Sequence, residues 1–490
     1  MFYKVKLGKL RLDKKMLMPF YFVSVCVAIA LTGCASTKTQ DGAAINAKLE
    51  GHTAFTPQSW ATNVDASQLR DAQQVDWLDP FQDNLLTDLV KQAIANNRDL
   101  MAASANVERA NALAVQAGAQ LKPQANLAFA NSRAGSVSNS ISEVSTQALS
   151  VQLNWEVDLW GRISAGQRAA VVSAEAAAAD YQYAQHSLAA ATAKAYFISI
   201  EASRQVAILK DILASLEETF RIVDVQYKNG LVSAQDVALT KSDLASTREQ
   251  LITLEASQRE ALRALEVLLG RYPKGALAVK TILPTLPPMP PLGVPSDILE
   301  RRPDLIASER RVAAAFNSVA QAKAARLPQL SLTGTLGGAS SALSDITDPA
   351  NVTWQLASNL LTPLFDGGVR KAQVKVATAE QKQALASYAQ TALSAFNEVE
   401  TNLDLANTLV QRDNELSVAL TEAEKAHRIA QLRHKEGEIA LIDLLVMQQR
   451  VLSASSNKLA VQRLALEQRV NLFLALGGNW FEKSNLTIDL

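Results

Sequence analysis

The chain contains the same unit twice, and this repeat limits the possible folds more than any other feature of its 490 residues. The segment RDLMAASANVERANALAVQAGAQLKPQANLAF, which begins at Arg98, aligns at an offset of 205 with PDLIASERRVAAAFNSVAQAKAARLPQLSLTG, which begins at Pro303. Farther along, YKNGLVSAQDV aligns with RHKEGEIALIDL at an offset of 207, so that Gly230 pairs with Gly437. Because a repeated unit folds into a repeated structure, we expect each element of the first half to recur in the second.

Both halves have the same predicted order of elements: a helix, two strands, a very long helix, a tight turn and a helix. The run from Arg162 to Tyr227 contains no proline and only Gly166 as a helix breaker. A continuous helix of that length would span roughly 100 Å. Apolar residues recur every seventh position in the last helix, at Leu445, Leu452, Leu459, Leu466 and Phe473. This spacing is typical of coiled coils, so the predicted fold class is mainly α, with two tandem repeats of long coiled-coil helices and four β-strands per chain.

These patterns divide the chain into six segments. They are a lipoprotein signal peptide at 1–33, an irregular lipid-anchored segment at 34–80, a first repeat at 81–270, a linker at 271–296, a second repeat at 297–476 and a tail at 477–490. The linker contains LPTLPPMPPLGVP. Such a density of proline is incompatible with a helix and favours an extended connection.

The N-terminus is typical of an exported lipoprotein. Basic residues precede an apolar run from Met16 to Ala30, which is short for a membrane helix, and LTGC follows at Leu31–Cys34. This ending resembles a bacterial lipobox, which implies cleavage before Cys34 and a covalent lipid on it; no other cofactor is expected. Ala35 stands where an aspartate would favour inner-membrane retention, so we expect the outer membrane. The alternative is an ordinary buried cysteine behind a signal anchor.

Charge and motifs exclude several functions. Cleavage would leave 42 basic and 47 acidic residues, a net charge of −5 that gives no indication of nucleic-acid binding. No HExxH motif, cysteine pair or glycine-rich phosphate loop occurs, so we expect no enzyme. His427 and His434 share a helix face but lie about 10 Å apart along it, too far for one metal ion. We expect Glu398 and Glu400 to be solvated or to face a pore.

Four segments alternate apolar and polar side chains. They are ANLAFANS and ALSVQLNWEVDL in the first half, and PQLSLTGTL and NVTWQLASNL in the second. A half-buried sheet in a soluble protein would also alternate. However, the predicted helices lead away from the strand ends, and strands of about ten residues match the roughly 9–11 needed to cross a bilayer. We therefore favour a membrane barrel in which the apolar residues of Leu149–Leu159 face lipid and Gln152, Asn154, Glu156 and Asp158 face water.

Four strands cannot close such a barrel. Known membrane barrels begin at about eight strands, and an open edge in lipid would leave backbone groups without hydrogen bonds. Several chains must therefore contribute strands. Two chains would supply eight and three would supply twelve, and geometry alone leaves both possibilities open.

The ordered motifs resemble the TolC-type outer-membrane efflux proteins, especially the lipoprotein branch of multidrug efflux systems. They are NNRDL, WEVDLWGR, YKNGLVSAQDV, PSDILERRPDL, ARLPQLSLTG, PLFDGGVRKAQ and LALGGNW, and they extend over nearly the whole mature chain. The resemblance implies a homotrimer with a twelve-stranded barrel in outer-membrane lipid and a helical tube across the periplasm. It also implies a periplasmic adaptor and an inner-membrane pump as partners. The expected function is a passive exit duct for small molecules such as drugs or toxic compounds.

By the same resemblance, the helical hairpin turns form the periplasmic tip. The implied adaptor contacts are Gly230, Leu231, Val232, Ser233 and Gly437. Asp236 and Asp443 follow these turns and are candidates for acidic rings at the pore constriction, where threefold symmetry would attract cations. Similar proteins often carry a second acid where this chain has Val446, so its constriction is expected to be partly hydrophobic.

Two interpretations of Asp236 compete. Ser233 and Asp236 fit a capping box, which would explain this carboxylate without a pore. Asp443 has Ala440 at the cap position, so a pore-facing role is favoured there. For the whole chain, the alternatives to an efflux duct are a lipid-anchored periplasmic coiled-coil scaffold and the outer-membrane duct of a type I protein secretion system.

Overall fold

The computed structural model describes residues 56–62, 77–135 and 143–478, together with Lys48 and Gly51. The predicted signal peptide and Cys34, the predicted site of the lipid, lie outside the described residues. The chain divides into two compact units. Pro123–Arg162 and Ala320–Arg370 form a unit that contains the strands, and the second unit contains the helices.

The helices of the two halves correspond in order. They are α1 (Asn84–Asn96), α2 (Arg98–Ala119), α3 (Arg162–Lys228), α4 (Ala234–Leu268), α5 (Asp297–Arg301), α6 (Pro303–Ala324), α7 (Val369–Lys435) and α8 (Leu441–Ala475). Helices α2 and α6 have 22 residues each, α3 and α7 have 67, and α4 and α8 have 35. The predicted fold class, mainly helical with four strands per chain, is confirmed.

The long helices pack through the predicted apolar seams. Leu445, Leu466 and Phe473 of the predicted seam in α8 are buried. Leu209, Leu216 and Val223 of α3, which also lie seven residues apart, are buried as well. Ala174, in the alanine-rich start of α3, is fully buried, because a small side chain permits close helix contact. Within the described part of the chain, no helix combines the length and the apolar character needed to cross a membrane.

The described part of the N-terminal segment is attached to the helical unit. Trp60 is buried against Phe396, with ring centroids 6.5 Å apart, and its indole N–H donates to the carbonyl of Gly293 at 3.1 Å. The carboxylate of Glu400 accepts hydrogen bonds from the backbone N–H groups of Ala61 and Thr62. The expectation that Glu400 is only solvated or pore-facing is therefore wrong, because the carboxylate anchors this segment.

A buried arginine joins three parts of the second half. Arg302, directly before α6, is 2% exposed. Its guanidinium donates to both carboxylate oxygens of Asp304 at 3.1 and 2.8 Å, to Glu398 at 2.7 Å and to the carbonyl of Ala475 at 3.1 Å. Burial opposes the charge, but hydrogen bonds and charges from Asp304 and Glu398 outweigh it and raise the pKa of Arg302. Glu398 is exposed to solvent, as expected, and also has Arg302 as a structural partner.

The strand unit is one antiparallel sheet. Its strands are β1 (Gln124–Gly135), β2 (Glu143–Val157), β3 (Gln329–Ser340) and β4 (Val352–Leu361), and they lie side by side in chain order. Three-residue 3₁₀ turns at Leu343–Asp345 and Pro349–Asn351 connect β3 to β4. Each half supplies one hairpin, as predicted, and the β2–β3 contact joins the hairpins.

Arg302→Ala should destabilise the helical unit by about 1.5–3 kcal/mol, because the charged hydrogen bonds to Asp304 and Glu398 are lost while both carboxylates keep contact with water. The measurement is the urea midpoint of the purified protein in detergent, followed by circular dichroism at 222 nm. Arg301→Ala is the matched control. Arg301 is part-exposed and forms an i,i+4 pair with Asp297, so its loss should cost less than about 1 kcal/mol. Equal effects of the two substitutions would contradict the role assigned to Arg302.

Candidate functional site

The first candidate site is an apolar face that extends across all four strands. Val151 of β2 lies opposite Leu127 of β1 and Leu336 of β3, and Leu336 lies opposite Trp354 of β4. All four side chains are exposed, with Leu127 at 72% and Trp354 at 74%. An exposed apolar face of this extent requires a partner or an apolar solvent.

The opposite face of the same sheet is polar. Asn126, Gln152, Thr335 and Gln355 form one row across the strands. The predicted water-facing residues Gln152, Asn154 and Glu156 of β2 all belong to this face, since side chains alternate along a strand. Asp158 lies beyond the end of β2. The sheet can therefore separate lipid on one side from water on the other.

Both outer strands of the sheet have an open edge. Among the described strands, β1 pairs only with β2, and β4 pairs only with β3. An unpaired strand edge presents a row of backbone N–H and C=O groups that another strand can bind. The sheet is thus incomplete as a membrane-spanning structure.

The second candidate site is formed by the hairpin turns. Gly230 ends α3 with φ +70°, and Gly437 ends α7 with φ +78°. At the first turn the N–H of Leu231 donates to Gln226 at 2.9 Å, and at the second the N–H of Glu438 donates to Arg433 at 2.9 Å. These bonds define the Schellman motif, whose left-handed position favours glycine. The predicted turn glycines thus have a structural role in addition to the predicted contact.

The two predicted constriction acids have different surroundings. The backbone N–H and the hydroxyl of Ser233 both donate to one carboxylate oxygen of Asp236, at 3.0 and 2.6 Å, and the predicted capping box is present. These bonds hold the pKa of Asp236 below its usual value. Asp443 lies three residues after Ala440, which makes no side-chain cap bond. The carboxylate of Asp443 is exposed and makes no hydrogen bond to another described residue.

The other predicted tip residues divide by exposure. Leu231 is exposed, whereas Val232 packs partly buried against the cluster that contains Val223 and Leu441. Val446 is exposed on α8, three residues after Asp443 and therefore on the same helix face. Asp443 and Val446 thus form a continuous exposed strip on the first turns of α8.

A groove of about 400 Å³ lies between α3, α4 and α8, close to these turns. Leu216, Asp243 and Val446 are among its lining residues. Burial raises the pKa of Asp243. Asp243 was not predicted from the sequence. The available signal was a carboxylate directly before Leu244, which is buried in the cluster that contains Val223 and Leu441. Among the described residues, no group of three or more potential metal ligands is arranged to hold an ion.

The sheet is amphipathic with open edges, and the helices form long hairpins. This combination is typical of oligomeric membrane channels whose barrel is assembled from strands of several chains. The sequence pattern of the outer membrane efflux protein family matches residues 89–271 and 294–478. The chain therefore belongs to this family and is an outer-membrane efflux channel.

Individual relatives match over almost their full length. The pyoverdine export outer membrane protein OpmQ of Pseudomonas aeruginosa is 29% identical over 473 residues, which cover 94% of this chain and 96% of OpmQ. The toluene efflux pump outer membrane protein TtgF of Pseudomonas putida is 27% identical, covering 94% of this chain and 98% of TtgF. The solved structure of the outer-membrane channel OprN has a TM-score of 0.79 and 29% identity, covering 87% of this chain and 98% of that one.

Substitutions at the two acids of α4 should respond to pH with opposite signs. The pKa of Asp236 is lowered, so its contribution to stability is present above the usual aspartate value and is lost as the pH falls through the lowered value. The pKa of Asp243 is raised, so its ionisation destabilises the fold at neutral pH and not in acid. At pH 7, Asp236→Asn should therefore speed amide hydrogen exchange at the start of α4, and Asp243→Asn should slow it.

The Asp243→Asn difference should disappear as the pH falls from neutral to about 4, because the raised pKa lies above that value, and the Asp236→Asn difference should shrink only below about 4. The measurement is hydrogen–deuterium exchange by mass spectrometry, with each variant compared with the parent at the same pH. Changes of the same sign in both variants at pH 7 would contradict the assigned environments.

Proposed function

We propose that this channel is the passive exit duct of a tripartite efflux system, in which three copies of the chain close one twelve-stranded barrel. The observation that carries the proposal is the sheet with one apolar face, one polar face and two open edges. Three copies would supply twelve strands and leave no edge. The long helices supply the periplasmic part, and an energised partner provides the driving force.

The hairpin turns are the proposed contact for a periplasmic adaptor, which in turn joins an inner-membrane pump. Gly230, Leu231 and Ser233 of the first turn and Gly437 of the second present exposed backbone and side chains. Val232 has less exposed surface, so its proposed contribution is to hold the turn against the apolar cluster.

The cargo class is proposed to be small molecules such as drugs or toxic compounds. By their names, OpmQ exports pyoverdine and TtgF belongs to a toluene efflux pump, two chemically unlike cargoes. A wide polar lumen fits both, because it binds neither strongly. Selectivity is therefore assigned to the pump and adaptor, and no catalytic step is assigned to this chain.

A covalent lipid on Cys34 is proposed as an additional membrane anchor. The LTGC sequence at Leu31–Cys34 supports it. Cys34→Ser should abolish the incorporation of labelled fatty acid, and labelling that persists in this variant would refute the anchor.

The duct is tested by conductance. Purified protein should migrate as a heat-sensitive oligomer and should conduct ions in a planar lipid bilayer, because a closed barrel has a water-filled lumen. A periplasmic scaffold would give neither result. A type I secretion duct would also conduct ions. It would be favoured if deletion of this protein stopped the export of a polypeptide and left the export of small molecules unchanged.

Asp443 is proposed to form an acidic ring at the constriction, next to the apolar side chain of Val446. Asp443→Asn should weaken block by polyvalent cations applied from the periplasmic side. If each cation loses roughly 1 kcal/mol of attraction, the blocking concentration rises about fivefold. The measurement is a titration of single-channel current with a trivalent cobalt ammine complex.

Glu436→Gln is the matched control, because it removes an equal charge from the exposed turn before α8. It should leave the blocking concentration unchanged. An equal rise of the blocking concentration in both variants would assign the effect to the total charge of the turns. An unchanged blocking concentration in Asp443→Asn would show that Asp443 is not at the constriction.

A further inference from the structure

The internal repeat supplies a template for the seam between two copies of the chain. Strand β3 corresponds to β1 at an offset of 205, since Gln124–Gly135 maps onto Gln329–Ser340. The offset for the second strand of each hairpin follows from the registers: Gln124 pairs with Asn154, and Gln329 pairs with Leu361. Strand β4 therefore corresponds to β2 at an offset of 207, which is also the offset between the long helices α3 and α7.

This correspondence exposes a difference between β2 and β4. β2 continues past Asn154 for three more residues, Trp155–Val157, which pair with β3 up to the rung between Val157 and Leu330. The equivalent residues after β4 are Thr362–Leu364, which belong to no strand. Leu364 and the following Phe365 are both 93% exposed. In the single chain, a segment that corresponds to paired strand is thus left without a partner strand.

We propose that β4, extended to Leu364, pairs with β1 of a second copy in the register that β2 and β3 use within the chain. This inference rests on the proposed shared barrel and goes beyond it by specifying which residues meet. The eleven rungs from Gln147–Ser340 to Val157–Leu330 transfer to rungs from Trp354–Gly135 to Leu364–Ala125. In each rung between copies, the two residue numbers add up to 489.

The proposed register brings the apolar side chains of Leu360 and Phe129 together across the seam. Leu360 lies opposite Phe129 of the second copy, so two exposed apolar residues meet on the apolar face. Residues directly opposite in an antiparallel pair point to the same side. A slip by one residue would pair Leu360 with Ala128 or Ala130, which lie on the other face of β1. The internal template, derived from backbone register alone, thus keeps the apolar faces of β4 and β1 on one side of the sheet, and on this face Leu356 lies opposite Arg133 of the second copy.

The proposed pairing also accounts for the exposed junction. Leu364 would lie beside Ala125 of the second copy and would continue the apolar face beyond Leu360. Pro363 would lie opposite Asn126, where its missing N–H leaves at most one hydrogen bond in that rung. Because proline cannot donate to the ladder, the paired segment ends close to this rung, at Leu364.

Disulfide cross-linking tests the register. Two double variants of the full chain follow the proposed rungs: Leu360→Cys with Phe129→Cys, and Leu361→Cys with Ala128→Cys. Neighbouring rungs alternate between wide and close pairs, so at least one of the two has the short spacing that favours a disulfide. Leu360→Cys with Leu127→Cys, and Leu360→Cys with Asn131→Cys, are the controls for a two-residue slip in either direction. The single-cysteine variants control for the native cysteines.

The variants are oxidised mildly in detergent, and the products are separated by non-reducing electrophoresis. One of the proposed pairs should cross-link between copies at least about fivefold faster than the slipped pairs, because the spacing of the slipped pairs exceeds disulfide range. Faster cross-linking of a slipped pair would overturn the register and leave the shared barrel intact. Failure of every pair in a protein that remains oligomeric and conducts ions would place the seam elsewhere. Failure of every pair together with loss of oligomers and conductance in the parent protein would refute the proposed function itself.

Discussion

The hydrogen bonds of the backbone are the constraint on which the rest of this structure depends. In the hydrocarbon interior of a membrane no water can bind a free N–H or C=O group, and each unpaired group costs several kcal/mol. The four strands of this chain leave both outer edges of the sheet open. A single copy therefore cannot use its own apolar face in a bilayer. Pairing with further copies, as proposed, would remove both edges and would enclose a polar lumen in the same step.

The internal repeat offers one kind of strand pairing that could satisfy this constraint at every seam. Within the chain, the second strand of the first hairpin pairs with the first strand of the second hairpin, between β2 and β3. If the last strand meets the first strand of another copy in the same way, one kind of seam repeats around the whole barrel. The helices follow the same repeat, with 67 residues in both α3 and α7. The buried Arg302 corresponds to the buried Asn97 at the offset of 205, and each donates to the carbonyl of the last residue of the last helix in its half, Ala475 or Leu268, at 3.1 Å. Arg302 differs in that it also binds the carboxylate of Glu398 in α7.

Local sequence pattern was sufficient for the elements themselves. The proline-free run from Arg162 predicted the long helix to within one residue of its end at Lys228, since helix formation depends on near neighbours. The capping box of Ser233 and Asp236 and the turn glycines were predicted for the same reason. Partners distant in sequence were not predictable from these patterns: Glu398 and Glu400 had the pattern of solvated surface, but they bind Arg302 and the segment around Ala61. The unpaired extension at Thr362–Leu364 became visible only when the registers of both hairpins were known.

The most direct test of the central claim is amide hydrogen exchange of β1 and β4 in the assembled protein in detergent, compared with β2 and β3. An open edge leaves alternate amides without partners, and these exchange quickly, whereas a closed barrel protects all four strands. The shared barrel predicts that peptides covering 124–135 and 352–361 are protected as strongly as those covering 143–157 and 329–340. Rapid exchange confined to β1 and β4, with β2 and β3 protected, would contradict it.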